Sequence, residues 1–544
     1  MPLPRVFARL VIVGACVTQV VGRSGQPVQS ASASTVHASP EQIAARIREE
    51  VVNSPQAELR ALYEAGGHAP LWIDADGSVS GDARQALVAL EHAADEGLEP
   101  ADYVQPELNR DPATFDVALS SGMLRFLHDV RAGRVDPRTV GVKLGIAPDR
   151  RDFAWLLRSA VANHRILDTI ADARPPLAQY SALRAMLARY RLLAAATGES
   201  GDVWQGSDAV VRPGDTAEGL DVLHRLLVGF GDLSERAPVP GVTYDAVLVG
   251  GIKHFQHRHG LETDGVLGAR TQAALRVPLA WRVRQIEFAL ERLRWLPRLG
   301  DRRLVVLNIP MFRIWAWDAI PPGAEPVLGM NAIVGRALKT ETPVFMEEMR
   351  EVVFRPYWNV PPSILRKETL PLIARDPGYL SRENMEVVRG QGDDARPVEA
   401  TPENVALLRQ GALRLRQRPG PSNALGLIKF VFPNEENVYM HGTPAKTLFA
   451  RSRRDFSHGC VRVEDPVALA EWALKDRPEW SRERILAAME GPQSLRVRLA
   501  RPIQVILFYT TAAVMPEDGT IRFAEDIYGH DQRLDRALSS LPPP

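Results

Sequence analysis

The sequence predicts a multidomain α+β protein: an all-helical scaffold, a small three-helix domain, and a mostly β, sandwich-like domain with a helical capping insertion. Three observations lead there. At 544 residues the chain exceeds what one core supports, since domains run to about 150 residues. Apolar residues recur at three- and four-residue spacing up to about Arg302, where the pattern turns strand-like. A glycine-punctuated loop, Gln256 to Gly268, marks off a compact unit within the helical half.

Composition excludes several function classes. Apolar content of 45% and charged content of 24% are those of an ordinary globular chain. Lys plus Arg equals Asp plus Glu at 66 each, so no net field draws in nucleic acid. Two cysteines, Cys16 and Cys460, make no disulfide framework. Residues 1–25 read as a signal peptide or membrane anchor. Arg5 and Arg9 lead into an apolar run, Leu10 to Val21, that is short against the roughly 20 residues a spanning helix needs. Val13-Gly14-Ala15-Cys16 also resembles a lipoprotein cleavage box, with Cys16 the lipidated residue. Each reading exports the chain and confines membrane contact to its N-terminus. Residues 26–40 read as a flexible tether.

Residues 41–200 form the helical scaffold, with apolar sets such as Leu59-Leu62-Tyr63 and Tyr180-Leu183-Met186-Leu187-Tyr190 and no catalytic constellation. Residues 203–278 hold two helices, one carrying Leu220, Leu223 and Leu227, the other Ile252 and Phe255. The glycine-punctuated loop and a third helix from about Ala269 complete that unit. His254, His257 and His259 raise a metal site, but no cysteine or acidic set accompanies them, so no metal is assigned. Residues 279–300 read as one amphipathic linker helix. Residues 301–485 carry six strand-like runs, among them Leu304 to Ile309, Gly426 to Phe432 and Asn437 to Met440. From about 365 to 418 an Arg-rich, helix-compatible insertion interrupts them, in the position of a lid. Residues 486–544 form a C-terminal segment in which a strand-like run returns at Pro502 to Phe508.

The chemistry concentrates between His441 and Arg462. If signal cleavage falls after Cys16, Cys460 is the single thiol of the mature chain, and a lone thiol near histidines is a candidate nucleophile. A free thiol has a pKa near about 8.5 and needs a base, with which it can form a thiolate–imidazolium pair. Either His441 or His458 could serve. His458 sits two residues away on a tight turn, whereas His441 ends a strand with its ring free to face sulfur, which favours His441. The Gly442 carbonyl that follows can orient its ring. Gly459, lacking a side chain, would let the N–H groups of His458, Gly459 and Cys460 converge on an oxyanion. Arg462 is placed to hold a substrate carboxylate or to form a structural ion pair. The loop between the histidines is densely basic, with Lys446, Arg451, Arg453 and Arg454.

His441, fifteen residues, then Ser457-His458-Gly459-Cys460-Val461-Arg462 resembles the signature of the L,D-transpeptidase (YkuD-type) catalytic domain. Arg418-Pro419-Gly420-Pro421-Ser422-Asn423-Ala424-Leu425-Gly426 and Thr342-Pro343-Val344-Phe345 extend the resemblance, towards the large periplasmic YcbB-like subgroup. Phe255-Gln256, His259-Gly260-Leu261 and Asp264-Gly265-Val266-Leu267-Gly268 are similar to the peptidoglycan-binding domain. The resemblance implies a periplasmic enzyme without cofactor. Its cysteine would be acylated at the meso-diaminopimelate–D-Ala bond of a tetrapeptide stem, and by carbapenems, before transfer forms 3→3 crosslinks. It implies Tyr439, Ser457 and Arg462 as substrate-lining residues and a C-terminal segment packed on the scaffold. Water or a lipoprotein lysine are alternative acceptors, and an inert wall-binding scaffold is the alternative of a different class. Implied partners are peptidoglycan stem peptides and glycan, with other wall-synthesis enzymes as candidates.

Overall fold

The computed structural model describes residues 39–541 apart from 104–110, 146–150, 198–203, 205, 207, 321–324, 377 and 393. The expected signal or anchor, Cys16 and all but the end of the tether lie outside the described residues.

Helices α1 (Pro40–Val52), α2 (Ala57–Glu64), α3 (Gly81–Glu91), α4 (Pro112–Ala132), α5 (Phe153–Ala162) and α6 (Ile166–Ala173) share one core. Their starts follow capping chemistry. Ser39 closes a capping box on α1, and Asp111 and Asp152 accept backbone N–H groups at the starts of α4 and α5. At the centre, buried Asp116 accepts bonds from the Tyr63 hydroxyl at 2.6 Å and the Trp72 N–H at 2.7 Å. Helix α7 (Ala178–Thr197) leaves this core. It packs on the long helix α11 (Leu279–Arg294), and Tyr180, Leu183 and Leu187 join Ile286 and Leu290 in the core of the β domain. The scaffold span 41–200 is therefore divided between two cores.

Helices α8 (Leu220–Phe230), α9 (Ala246–Arg258) and α10 (Ala269–Leu275) enclose a third core. Gln256, 1% exposed, explains its loop. Its amide donates to Asp264 Oδ1, the Val266 carbonyl and Thr271 Oγ1, and its carbonyl accepts the Gly265 N–H at 2.8 Å. One buried amide thus satisfies the polar groups of a loop that has no regular structure to pair them. The three histidines do not converge. His254 pairs with Asp232, His257 meets Arg522, and His259 stacks on Phe255 and Phe523.

The β domain closes on itself. Its strands are β1 (Leu304–Asn308), β2 (Arg313–Trp317), β3 (Leu328–Gly335), β4 (Phe345–Phe354), then β9 (Ile428–Val431), β10 (Met440–His441), β11 (Asp455–Ser457), β12 (Val461–Val463) and β13 (Leu495–Phe508). The order β3-β12-β10-β9-β4-β13-β1-β2 returns to β3 through the β2–β3 pairing, so eight strands form a ring with β11 added to the end of β3. A closed sheet replaces the expected sandwich. Closure leaves no bare edge on the ring, which runs of alternating residues read singly cannot reveal.

Two boundaries are corrected. Strand β13 lies between β4 and β1, parallel to β1, so residues 495–508 belong to the barrel rather than to a segment packed on the scaffold. Beyond it, the hairpin β14 (Ala512–Val514) and β15 (Ile521–Phe523) and the helix His530–Ser539 do pack against α7 and α11. The capping insertion is mixed rather than helical. It comprises β5 (Trp358–Asn359), β6 (Met385–Arg389), β7 (Arg396–Val398) and β8 (Arg414–Gln417) in the order β5-β8-β6-β7, with helices at 362–375 and Pro402–Gln410. Its small core includes Val387, Leu408 and Leu415. Arginines on the strands hid the alternation, because Arg416, 3% exposed, is buried by pairing with Glu386 at 2.7 Å and lying over the Tyr357 ring.

Candidate active site

Two short parallel strands assemble the site. Strands β10 and β12 pair Met440 with Val461 and His441 with Arg462. The Val461 N–H donates to the Tyr439 carbonyl at 3.1 Å, which continues the ladder back toward Cys460. Side chains alternate along a strand, so buried Met440 and Val461 enter the barrel core while Tyr439, His441, Cys460 and Arg462 share the opposite face. The sequence places an apolar residue between each pair of functional ones, and that alternation is what brings the four together.

His441 is 4% exposed, and its Nδ1 lies 2.5 Å from the Gly442 carbonyl. A carbonyl can only accept, so Nδ1 carries the hydrogen and Nε2 is the basic nitrogen of the neutral ring, which also has the Leu425 backbone as a partner. Burial, reinforced by the Arg462 and Lys429 charges, lowers its pKa to about 3. Burial also pushes the Cys460 thiol up, against the pull of Tyr439, Lys429 and Arg462. The resting pair is therefore neutral thiol and neutral imidazole. The expected thiolate–imidazolium pair is not its ground state, because neither charge is well solvated there.

The Cys460 turn is held from beneath. Gly459 adopts φ +111°, a conformation that side chains oppose. Ser457 is buried rather than lining a cleft. Its hydroxyl donates to the Cys460 carbonyl at 2.5 Å and accepts the Gly459 N–H at 3.2 Å. Of the three N–H groups expected to converge on an oxyanion, that of Gly459 is thus already engaged. Thr342 Oγ1 donates to the Gly459 carbonyl at 2.8 Å and accepts the Gly335 N–H, while Tyr528 donates to the Gly335 carbonyl at 2.5 Å. On the other flank, Gly426 lets the backbone pass the 442–443 turn. A Cβ there would lie 2.7 Å from the Thr443 nitrogen.

His458 faces away from this arrangement. Its Nε2 lies 2.7 Å from Glu368 Oε1, in the π-helical turn Leu365–Thr369 of the insertion. Arg462 has no carboxylate within ion-pair distance among the described residues, and its Nε is buried without a partner. The expectation of a structural ion pair at Arg462 is not met, and the guanidinium remains available to an anionic ligand. Sequence reasoning missed Lys429. It pairs with His441 across β9–β10, and its ammonium lies 3.8 Å from the Tyr439 ring centroid. A lone lysine inside the apolar run Ile428-Lys429-Phe430 was the available signal.

Residues 302–482 match the family model described as "L,D-transpeptidase catalytic domain". They are an L,D-transpeptidase catalytic domain. Residues 218–275 match the model described as "Putative peptidoglycan binding domain", and residues 57–187 match "Scaffold domain". A protein of Haemophilus influenzae (strain ATCC 51907 / DSM 11121 / KW20 / Rd), named "Putative L,D-transpeptidase", is 32% identical over 249 residues. The alignment covers 45% of this chain and 48% of that protein, so the chain matches about half the length of the relative. The L,D-transpeptidase match ends before β13, which the structure places inside the same barrel.

Proposed function

We propose that the protein is a peptidoglycan L,D-transpeptidase that uses Cys460 as its nucleophile. The observation that carries this reading is the shared face of β10 and β12, which bears both Cys460 and a neutral His441 with its hydrogen on Nδ1. In acylation, sulfur attacks the carbonyl between diaminopimelate and the terminal D-Ala of a tetrapeptide stem, and Nε2 takes the thiol proton. As the C–N bond breaks, the imidazolium returns that proton to the departing amine, leaving a thioester. The side-chain amine of a second stem's diaminopimelate then attacks the thioester. It loses a proton to His441, the amide forms, and Cys460 leaves as a thiol. Because both resting groups are neutral, no buried charge must be neutralised before attack, and charge appears only as the bond forms.

Arg462 holds a stem carboxylate, and Tyr439 with Lys429 lines the approach to sulfur. The three-helix module binds the wall polymer. A peptidoglycan substrate places the enzyme outside the cytoplasmic membrane, with residues 1–25 serving export. The test is incubation of the protein with tetrapeptide muropeptides, read by mass spectrometry. A crosslinked dimer lacking one D-Ala is expected, and Cys460→Ala should abolish it. Tripeptide monomer alone would mean that water is the acceptor, and full activity in Cys460→Ala would overturn the mechanism.

A further inference from the structure

We infer that the seam between the three-helix module and the barrel is a second peptidoglycan site, one that takes the carboxylate groups of stem peptides away from the catalytic face. This inference rests on the transpeptidase reading for the identity of its ligand. Two features of the sequence find no role at Cys460: the arginine-rich loop before β11 and the histidine-rich end of α9. They meet across one cavity of about 330 Å³. The module contributes His257, His259 and Arg270. The barrel and its hairpin contribute Arg313, Arg453, Arg454 and Arg522, and Phe312 and Trp315 add apolar surface.

The charge of this lining is one-sided. Six arginines border the cavity, and Glu525 is the only acidic residue among the described residues that line it. Arg258 is neutralised by Asp232, with two contacts of 2.5 and 2.6 Å. Arg453 is also held closely, by Asp455 at 2.7 and 3.2 Å, and reaches Glu525 only at 3.4 Å. Arg270 meets Glu525 at 3.4 Å and Ser452 Oγ at 2.9 Å, while Arg313 and Arg522 each contact a carboxylate outside the cavity lining at 3.3 Å. Arg454 donates to backbone carbonyls and to Asn331, with no ion pair among the described residues. Among the described residues Arg270 faces only a distant carboxylate and Arg454 none, so these two guanidinium groups are suited to a shorter bidentate partner, and a peptide carboxylate supplies one. Beside them, Phe312 and Trp315 suit the apolar faces of a sugar ring or an alanine methyl.

The position has a functional sense. Arg453 and Arg454 lead directly into β11 and the turn that carries Cys460, so this cavity and the catalytic thiol share one loop. A stem peptide held at the seam would anchor its glycan strand to both the module and that loop. This raises the local concentration of neighbouring stems at the thiol.

The competing explanation is that Arg270 and Glu525 form a structural ion pair and nothing more. Two substitutions separate these readings, because both break the pair but change the cavity charge in opposite senses. The Cys460→Ala full-length protein is titrated calorimetrically with a soluble disaccharide-tetrapeptide. Two binding events are expected, one at the catalytic face and one at the seam. Arg270→Glu should weaken the seam event by about tenfold or more, with Arg270→Gln shifting it less in the same direction. Glu525→Gln should tighten the same event, and amidating the peptide carboxylates should remove it. Weakening in both Arg270→Glu and Glu525→Gln, or an isotherm that neither changes, overturns the site. Turnover is read on the native enzyme in the muropeptide assay. Normal crosslinking with an unresponsive seam therefore rejects this inference alone, and absent crosslinking with a responsive seam rejects the transpeptidase reading alone.

Discussion

The strand end at His441 and the turn at His458 flank the same thiol and are built in opposite ways. His441 is buried, bonded through Nδ1 to the carbonyl of its own neighbour, and held neutral. His458 is one-third exposed and pairs with a carboxylate of the insertion. Two imidazoles of the same sequence stretch thus have different surroundings. The fixed tautomer and dry setting suit one to the proposed role of base, while a part-exposed hydrogen-bonded contact ties the other to the insertion. Burial and hydrogen bonding decide the role, and proximity along the chain does not.

Substitution breaks the comparison most sharply. His441→Gln removes the proton acceptor and should lower D-Ala release from tetrapeptide substrate by about 10²–10⁴-fold, the usual worth of a general base. His458→Gln keeps the backbone of the turn and should stay within about threefold of native. Equal losses in the same single-turnover assay would erase the distinction. They would mean that His458 takes part in proton transfer.

Acid stability sharpens it next. The folded chain holds His441 at about 3, whereas an unfolded histidine titrates near about 6.5. Between those values the unfolded state binds a proton that the folded state refuses. The neutral ring's contribution to stability is therefore complete above about 6.5 and lost as pH falls toward about 3. His530, also lowered to about 3 by burial, adds to the same slope. Urea midpoints at pH 7.5 and 4.5 should differ more for the native protein than for His441→Gln.

The contrast between the two histidines also shows where sequence reasoning reaches its limit. The strand pattern Val438-Tyr439-Met440-His441 and the run Ser457 to Arg462 were legible, because alternation alone puts the four functional side chains on one face once the strands are adjacent. The three-helix module was legible for the same local reason, with its loop chemistry gathered on Gln256. What could not be read was pairing at long range. Tyr528 bonds Gly335, 193 residues away in the chain, and through it supports the turn of Cys460, and no local period announces that contact. Strand β13 was read as a tail because its partners, β1 and β4, lie far upstream. Glu368 was hidden in a helix-compatible segment whose charge carried no positional information. The resemblance implies Ser457 as a substrate-lining residue, and the burial that turns its hydroxyl to the Cys460 turn has no signal in the sequence.

The smallest expected effect lies at Glu368. Its contact with His458 is short, at 2.7 Å, but the two side chains are 33% and 52% exposed, so screening leaves roughly 0.5 kcal/mol for the pair. That is too little to move global stability, and the melting temperature of Glu368→Gln should stay within about 1 °C of native. It is enough to shift a local equilibrium, because Glu368 sits in the π-helical turn in the middle of the insertion's longest helical run, residues 362–375. A lost contact of that size raises the open population of such a segment by about two- to threefold. Hydrogen exchange over residues 362–375 should quicken by that factor in Glu368→Gln, and by the same factor in His458→Gln, with the barrel strands unaffected. If His458→Gln alone quickens exchange, the histidine supports the insertion by some route other than this pair. If neither does, the turn at His458 plays no part in holding the insertion.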